Sequence, residues 1–217
     1  MNNRILTIAL AVGLVFTILT LIPKLQDWRP PGLHSNYEPD QPIKYSHRLH
    51  AGELQISCNY CHYGATESKH AGIPPASVCM NCHKFVTAPF GAVLAEDKRA
   101  TEEGREPERL VSEEIQKLYD ALGLDGTLNR DTTLSMQPIE WTKIHNIPDF
   151  AYFDHRPHVA AGVYCQKCHG PVETMERVRM NQALTMGWCV NCHRESNDLG
   201  VGMKQVEAPL DCSACHY

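Results

Sequence analysis

The chain has 217 residues, ten of them cysteine, and a formal net charge of −5. That length accommodates one domain of ordinary size plus an appendage. The acidity sits in residues 96–131, where eleven acidic and six basic side chains leave −5 and the rest of the chain balanced, so no basic face argues for a nucleic-acid partner.

The N-terminus, MNNRILTIALAVGLVFTILTLIPKLQDWRPPG, holds nineteen consecutive uncharged residues at positions 5–23. A membrane-spanning helix needs roughly 20. A cleaved export signal has an apolar region of about 7–15 residues and a small-x-small cleavage site. Here the run is longer, and no such site follows. The expectation is an uncleaved transmembrane anchor over residues 1–25, with Trp28 at the membrane interface. Arg4 on one side and Lys24 and Arg29 on the other leave the count of positive charges ambiguous about orientation.

Block one, residues 45–84, begins YSHRLH and continues to CNYCH and then CMNCHK. Block two, residues 153–194, repeats it as FDHRPH, CQKCH and CVNCHR. His47 precedes Cys58 by eleven residues and His155 precedes Cys165 by ten. The motif starts lie 21 residues apart in block one and 24 in block two, which makes the chain a degenerate internal repeat. Between the blocks lies an insert, residues 85–140. Within it RLVSEEIQKLYDALG puts Leu110, Val111, Ile115, Leu118, Tyr119 and Leu122 on one helical face, with Gly123 as the stop. That helix reads as a cap over the cofactor cluster or as a docking helix. Segments 36–43 and 126–140 read as loops. A fifth motif, DCSACHY, closes the chain.

CxxCH is the attachment signature of c-type haem. Two thiols bond the porphyrin edge and the next residue places an imidazole under the iron. The five motifs are Cys58/Cys61/His62, Cys79/Cys82/His83, Cys165/Cys168/His169, Cys189/Cys192/His193 and Cys212/Cys215/His216. They use all ten cysteines. Tetrahedral zinc usually combines two CxxC pairs, or one pair with separate histidines, and gives no reason for a histidine after every pair. Disulfides within CxxC would staple nothing distant. The reading is five covalently bound haem c groups. Because such haems are attached outside the bacterial inner membrane, the N-terminus is expected in the cytoplasm and residues 26–217 on the periplasmic, extracytoplasmic face.

Each iron also needs a sixth ligand. Seven histidines lie outside the motifs. H-x-x-H puts two imidazoles on one helical face, yet too far apart to bind one iron from opposite sides. His47 and His50 therefore serve two different haems, as do His155 and His158. His145, in an aromatic-rich lead with Trp141 and Phe150, is expected to be the fifth distal ligand. His70 is its rival. His34, just past the anchor, reads as exposed or quinone-side. Met186 is an alternative thioether ligand, which would raise its haem's potential. The expected fold class is a multihaem cytochrome c: short helices carrying the motifs, long loops, little strand, and porphyrins in place of much of the side-chain core, plus the one transmembrane helix.

The stretch IHNIPDFAYFDHRPHVAAGVYCQKCHG together with GWCVNCHR resembles the membrane-anchored pentahaem cytochrome subunit of alternative complex III, a quinol-oxidising complex. The resemblance covers residues 45–84 and 141–216 and leaves the insert unmatched. It implies integral quinol-binding subunits, an iron–sulfur subunit and a monohaem cytochrome c as partners. It also implies a periplasmic copper protein, cytochrome c or oxidase as acceptor. The expected function is electron relay from a membrane quinol site, by a subunit not catalytic on its own. The alternative is a stand-alone anchored multihaem quinol dehydrogenase feeding a periplasmic reductase. An open-haem reductase is the third possibility, and the CxxCK motif common in such enzymes does not occur.

Overall fold

A computed structural model of the chain describes residues 3–27 and 35–216, with side chains for 3–22 and 35–216. Trp28, Arg29, His34 and the side chain of Lys24 lie outside the described residues. Helix α1 (Asn3–Asp27) runs through Pro23, two residues beyond the expected end of the anchor. Its side chains are apolar and exposed all round, the composition of a helix that faces lipid rather than a protein core. The hydroxyls of Thr7 and Thr17 donate to the carbonyls four residues earlier at 2.8 Å, so the few polar groups are satisfied within the helix. By length and composition, Asn3–Ile22 can cross a membrane.

The rest is short elements joined by loops. In chain order they are a π-helical turn (Arg48–Glu53), α2 (Cys58–Cys61), α3 (Gly64–Glu67), α4 (Ala76–His83), α5 (Phe90–Glu103), α6 (Glu113–Leu122), α7 (His155–Ala161), α8 (Cys165–His169), a 3₁₀ turn (Val172–Thr174), α9 (Met186–Leu199) and a final 3₁₀ turn (Cys212–Ala214). Only isolated bridges, such as Ala151 with His216, pair extended backbone among the described residues. The core built of side chains is small. Tyr119 and Met180 are the largest residues fully buried among those described.

The two repeat blocks hold each other reciprocally. The turn 48–53 at the head of block one packs on 172–174, just after the third CxxCH. Helix α7, the head of block two, packs on α3, just after the first CxxCH. The Arg48 N–H donates to the Met175 carbonyl at 2.9 Å, and the His155 N–H donates to the Lys69 carbonyl at 3.2 Å. Gly52 sits so close to block two that a Cβ there would lie 2.3 Å from the Glu173 carbonyl oxygen, a contact only glycine permits. Both heads are capped by a buried polar side chain. Ser46 Oγ accepts from the Leu49 N–H at 3.1 Å. Asp154 accepts from the Arg156 N–H at 2.9 Å and pairs with its guanidinium at 2.6 Å.

The insert supplies two helices. Helix α6 starts at Glu113, behind the N-cap Ser112, and ends at Gly123 in the left-handed region (φ 64°), so Leu110 and Val111 precede it rather than extend its face. Helix α5, which the apolar pattern did not announce, ends likewise at Gly104 (φ 64°). Its inward residues are Ala100 and Glu96, and a buried carboxylate breaks the apolar periodicity. Glu96 is held between Arg105 at 2.6 Å and Arg99 at 2.7 Å. The hydrogen bonds from Arg105 and from the Glu108 N–H hold its carboxyl down at about 2.

The insert clasps the second motif. The buried Tyr119 hydroxyl donates to the His83 carbonyl at 2.5 Å, and Arg109 donates to the Lys84 carbonyl at 2.9 Å. This geometry places α6 as a cap over the second motif. Tyr119→Phe removes the donor and leaves a part-buried carbonyl unpaired, at a cost of about 1–3 kcal/mol. A lowered denaturant midpoint with unchanged slope is the expected result for the haem-loaded protein. An unchanged midpoint would show that the clasp carries no stability.

Candidate haem-binding sites

Each CxxCH motif lies on one tight turn. The His62 N–H donates to the Cys58 carbonyl at 2.8 Å, and the His216 N–H donates to the Cys212 carbonyl at 2.9 Å. In α4, α8 and α9 the corresponding residues are inside helices. This i to i+4 closure puts the two thiols and the imidazole on one side of the turn. The fifth motif is 3₁₀ rather than α, and Asp211 caps it by accepting from the Ala214 N–H at 3.0 Å.

All ten thiols are unpaired, and the two thiols of a motif are not equivalent. In the first, third and fifth motifs the leading cysteine (Cys58, Cys165, Cys212) is exposed and the trailing one is part-buried. The second motif reverses this: Cys79 is part-buried and Cys82 is exposed. The reason is position. Cys82 lies in the last turn of α4, where the chain turns away and its carbonyl accepts from the N–H groups of Phe85 and Val86, both at 2.9 Å. In the fourth motif both Cys189 and Cys192 are part-buried. Burial pushes the Cys168 thiol up to about 11, reinforced by the nearby Cys192 and Cys189.

The imidazoles stand in facing pairs. His47 and His62 have ring centroids 6.4 Å apart and planes within 5° of parallel. His155 and His169 repeat that arrangement at 6.3 Å and 7°. His50 faces His83 at 6.0 Å, and His158 faces His193 at 6.0 Å. Metal–imidazole bonds of about 2 Å on either side of one ion, with ring half-widths of about 1.1 Å, require centroids about 6 Å apart. The four pairs fit an iron between each.

The ring nitrogens agree. Nδ1 meets a backbone carbonyl in His62 (Gly72, 2.7 Å), His83 (Val86, 2.8 Å), His193 (Pro209, 2.7 Å) and His216 (Phe150, 3.0 Å). The same holds for His50 (Ser46, 2.8 Å), His155 (Lys69, 2.7 Å) and His158 (Asp154, 2.8 Å). A carbonyl can only accept, so Nδ1 carries the proton and Nε2 is left bare for a metal. His47 departs from this pattern, because its Nδ1 is buried without a partner. Burial, then the neighbouring His62 and His50, push His47 down to about 4. Burial, then His145, His155 and His62, push His169 down to about 3. Both rings are therefore neutral at physiological pH, the form that ligates a metal.

The aromatic residue in each head is part of the site. Tyr45 stacks on His50 at 4.3 Å and meets His47 edge-on at 4.8 Å. Phe153 does the same for His158 and His155, both at 4.8 Å. One ring thus fixes the rotamers of two imidazoles. The repeated aromatic-x-H-x-x-H spelling carried that signal, and its role becomes visible only in three dimensions.

The fifth site differs from the sequence expectation. His145 does not face His216. Its Nε2 lies 3.3 Å from Nδ1 of His169, the position a carbonyl takes in the other motifs. Burial lowers the pKa of His145, with a further contribution from His155. Beside His216 the structure places the Phe150 ring, at 5.9 Å and 23°. Among the described residues no histidine stands across from His216 at the pair separation seen elsewhere. His70 is exposed, its N–H held by Ser68 Oγ at 3.1 Å. Met186 is exposed at the start of α9. Trp141 lines a shallow cleft with Ile73, Pro74 and Ile139.

Residues 151–217, from just ahead of the second head to the fifth motif, match the family of cytochrome c7 and related cytochrome c. The chain is also 24% identical over 209 residues to the menaquinone reductase multihaem cytochrome c subunit of Nitratidesulfovibrio vulgaris (strain Hildenborough). That alignment covers 86% of this chain and 80% of the relative. The fold class is accordingly a cytochrome c7-like multihaem domain, built of helices and loops without strands among the described residues, and preceded by one apolar helix.

Proposed function

We propose that this chain is the electron-transfer subunit of a membrane-bound quinone oxidoreductase and carries five covalently bound haem c groups. A c-type haem supplies one-electron redox chemistry at its iron, at a potential set by axial ligands and burial. The protein's own residues do the rest. Ten thiols attach the groups, and the motif histidines ligate from one side. His47, His50, His155 and His158 ligate from the other. The facing imidazole pairs carry this reading, since they leave no coordination position for a substrate at those four sites. Such a subunit passes electrons and is not catalytic by itself.

The resemblance in the two blocks adds the setting. In this reading α1 anchors the chain in the inner membrane with the N-terminus cytoplasmic and the haem domain periplasmic. Integral quinol-binding subunits, an iron–sulfur subunit and a monohaem cytochrome c surround it in an alternative complex III. Electrons leave for a periplasmic copper protein, cytochrome c or oxidase. The relative's name, menaquinone reductase, supports the link to quinone and favours a second reading, in which the same relay delivers electrons to menaquinone. Menaquinol added to the intact, detergent-solubilised complex is expected to bleach the oxidised spectrum of all five haems. If menaquinol leaves them oxidised while a reduced periplasmic donor drives menaquinone reduction, the second reading holds.

The cofactor count is tested by mass. The denatured chain should exceed its 24.4 kDa polypeptide by five haem masses, and a gain of four would reject one motif.

The ligand assignment is tested by low-temperature electron paramagnetic resonance. Alanine at His47, His50, His155 or His158 should each convert one low-spin ferric signal to high-spin, while His70→Ala should not. For His145→Ala the structure leads to altered g-values of the third site and no new high-spin iron. A new high-spin signal would instead make His145 the distal ligand of the fifth site.

A further inference from the structure

The two blocks are related by an approximate twofold exchange. Each head packs on the segment following the other block's first CxxCH, through the 48–53 turn on 172–174 and α7 on α3. The exchange extends to single atoms. His155 of block two sets Nδ1 against the Lys69 carbonyl of block one, while Arg48 of block one donates its N–H to Met175 of block two. Elements that exchange across a twofold lie nearest its axis. The innermost motifs must then be equivalent ones, the first and the third. The side chains agree, because the thiol of Cys165 makes a hydrogen bond with that of Cys58, its counterpart in the repeat.

The outer neighbours follow from the clamps. His47 and His50 share one turn, so the second motif stands beside the first, and Asn81 donates to the Tyr60 hydroxyl between them at 2.9 Å. His155 and His158 share α7, so the fourth stands beside the third, and Lys167 pairs with Glu195 between them at 3.3 Å. The segment leading to the fifth motif lies on α9. Nδ1 of His193 meets the Pro209 carbonyl at 2.7 Å, and Asn197 makes two hydrogen bonds with Ala208, at 2.6 and 2.9 Å. Thiol electrostatics follow the same sequence of neighbours. Cys61 feels Cys82, Cys79 feels Cys61, Cys168 feels Cys192, and Cys189 feels Cys215.

We propose that the five attachment motifs stand in single file in the order second, first, third, fourth, fifth, so that the second and the fifth are the two ends of the row. The inference rests on the relay reading for its functional meaning. In that reading the first motif, nearest the anchor along the chain, is interior to the row. Electrons enter and leave at the second motif, under the insert, and at the fifth, at the C-terminal end. Neither end is set by chain order, and the exchange between blocks inverts the first two positions.

Proton nuclear magnetic resonance on the full-length, haem-loaded, fully reduced protein in detergent tests this directly. The reduced bis-histidine groups are diamagnetic, and nuclear Overhauser cross-peaks between substituents of neighbouring groups report contact. Cross-peaks are expected between the first and second, first and third, third and fourth, and fourth and fifth. A contact between the second and third, or the absence of contact between the first and third, would overturn the order. Reduction by dithionite suffices for this measurement. Failure of quinol to reduce the complex would therefore overturn the relay reading while leaving the order standing.

Discussion

One hydrogen bond, repeated through the molecule, underlies the arrangement: an imidazole Nδ1–H given to a backbone carbonyl. It settles the tautomer, fixes the ring plane and turns Nε2 toward the opposing ring. Seven rings have it, with lengths from 2.7 to 3.0 Å. Most of the short helices and turns can be understood as ways of presenting those carbonyls. The Ser46 and Asp154 carbonyls belong to the head caps, and Lys69 follows α3. The Phe150 carbonyl is presented beside the Ala151–His216 bridge. A chain with so small an apolar core of its own depends on such local hydrogen bonds to hold ligand geometry.

The repeat solves a second problem. A head of six residues cannot bury its aromatic ring and two imidazoles alone. Two copies that exchange partners bury each other, and the contact is close enough to require Gly52. The ion pair of Arg48 with Glu176, at 2.9 Å, spans the same junction, but both side chains are about half exposed or more. Its contribution is therefore small beside the backbone bonds and the ring contacts. The insert is a separate device. It closes over the second motif through Tyr119 and Arg109.

What could be read in the sequence was what is contiguous. CxxCH is five residues on one turn, so chemistry and local shape coincide. Which thiol of a motif is the exposed one was not legible, and the reversal at Cys82 comes from where α4 ends. The H-x-x-H heads were legible as two ligands for two irons because helical geometry forbids one iron from using both. Their partners were not, since pairing His47 with His62 and His155 with His169 depends on how loops return. His145 shows the limit. Counting irons and histidines assigns it to the fifth site, whereas the fold brings its Nε2 to His169. Helix α6 was visible from its apolar face and Gly123. Helix α5 was hidden because its most buried side chains include Glu96, which a hydrophobic pattern scores as solvent-facing.

The pairing of imidazoles across each metal position is the claim on which the function and the order of the sites both rest. An experimental structure of the haem-loaded chain, at a resolution that places each iron and its axial nitrogens, tests it most directly. The expected result is an iron between Nε2 of His47 and His62, and likewise between His50 and His83, His155 and His169, and His158 and His193. An iron shared by any other combination, such as His47 with His83, would contradict it.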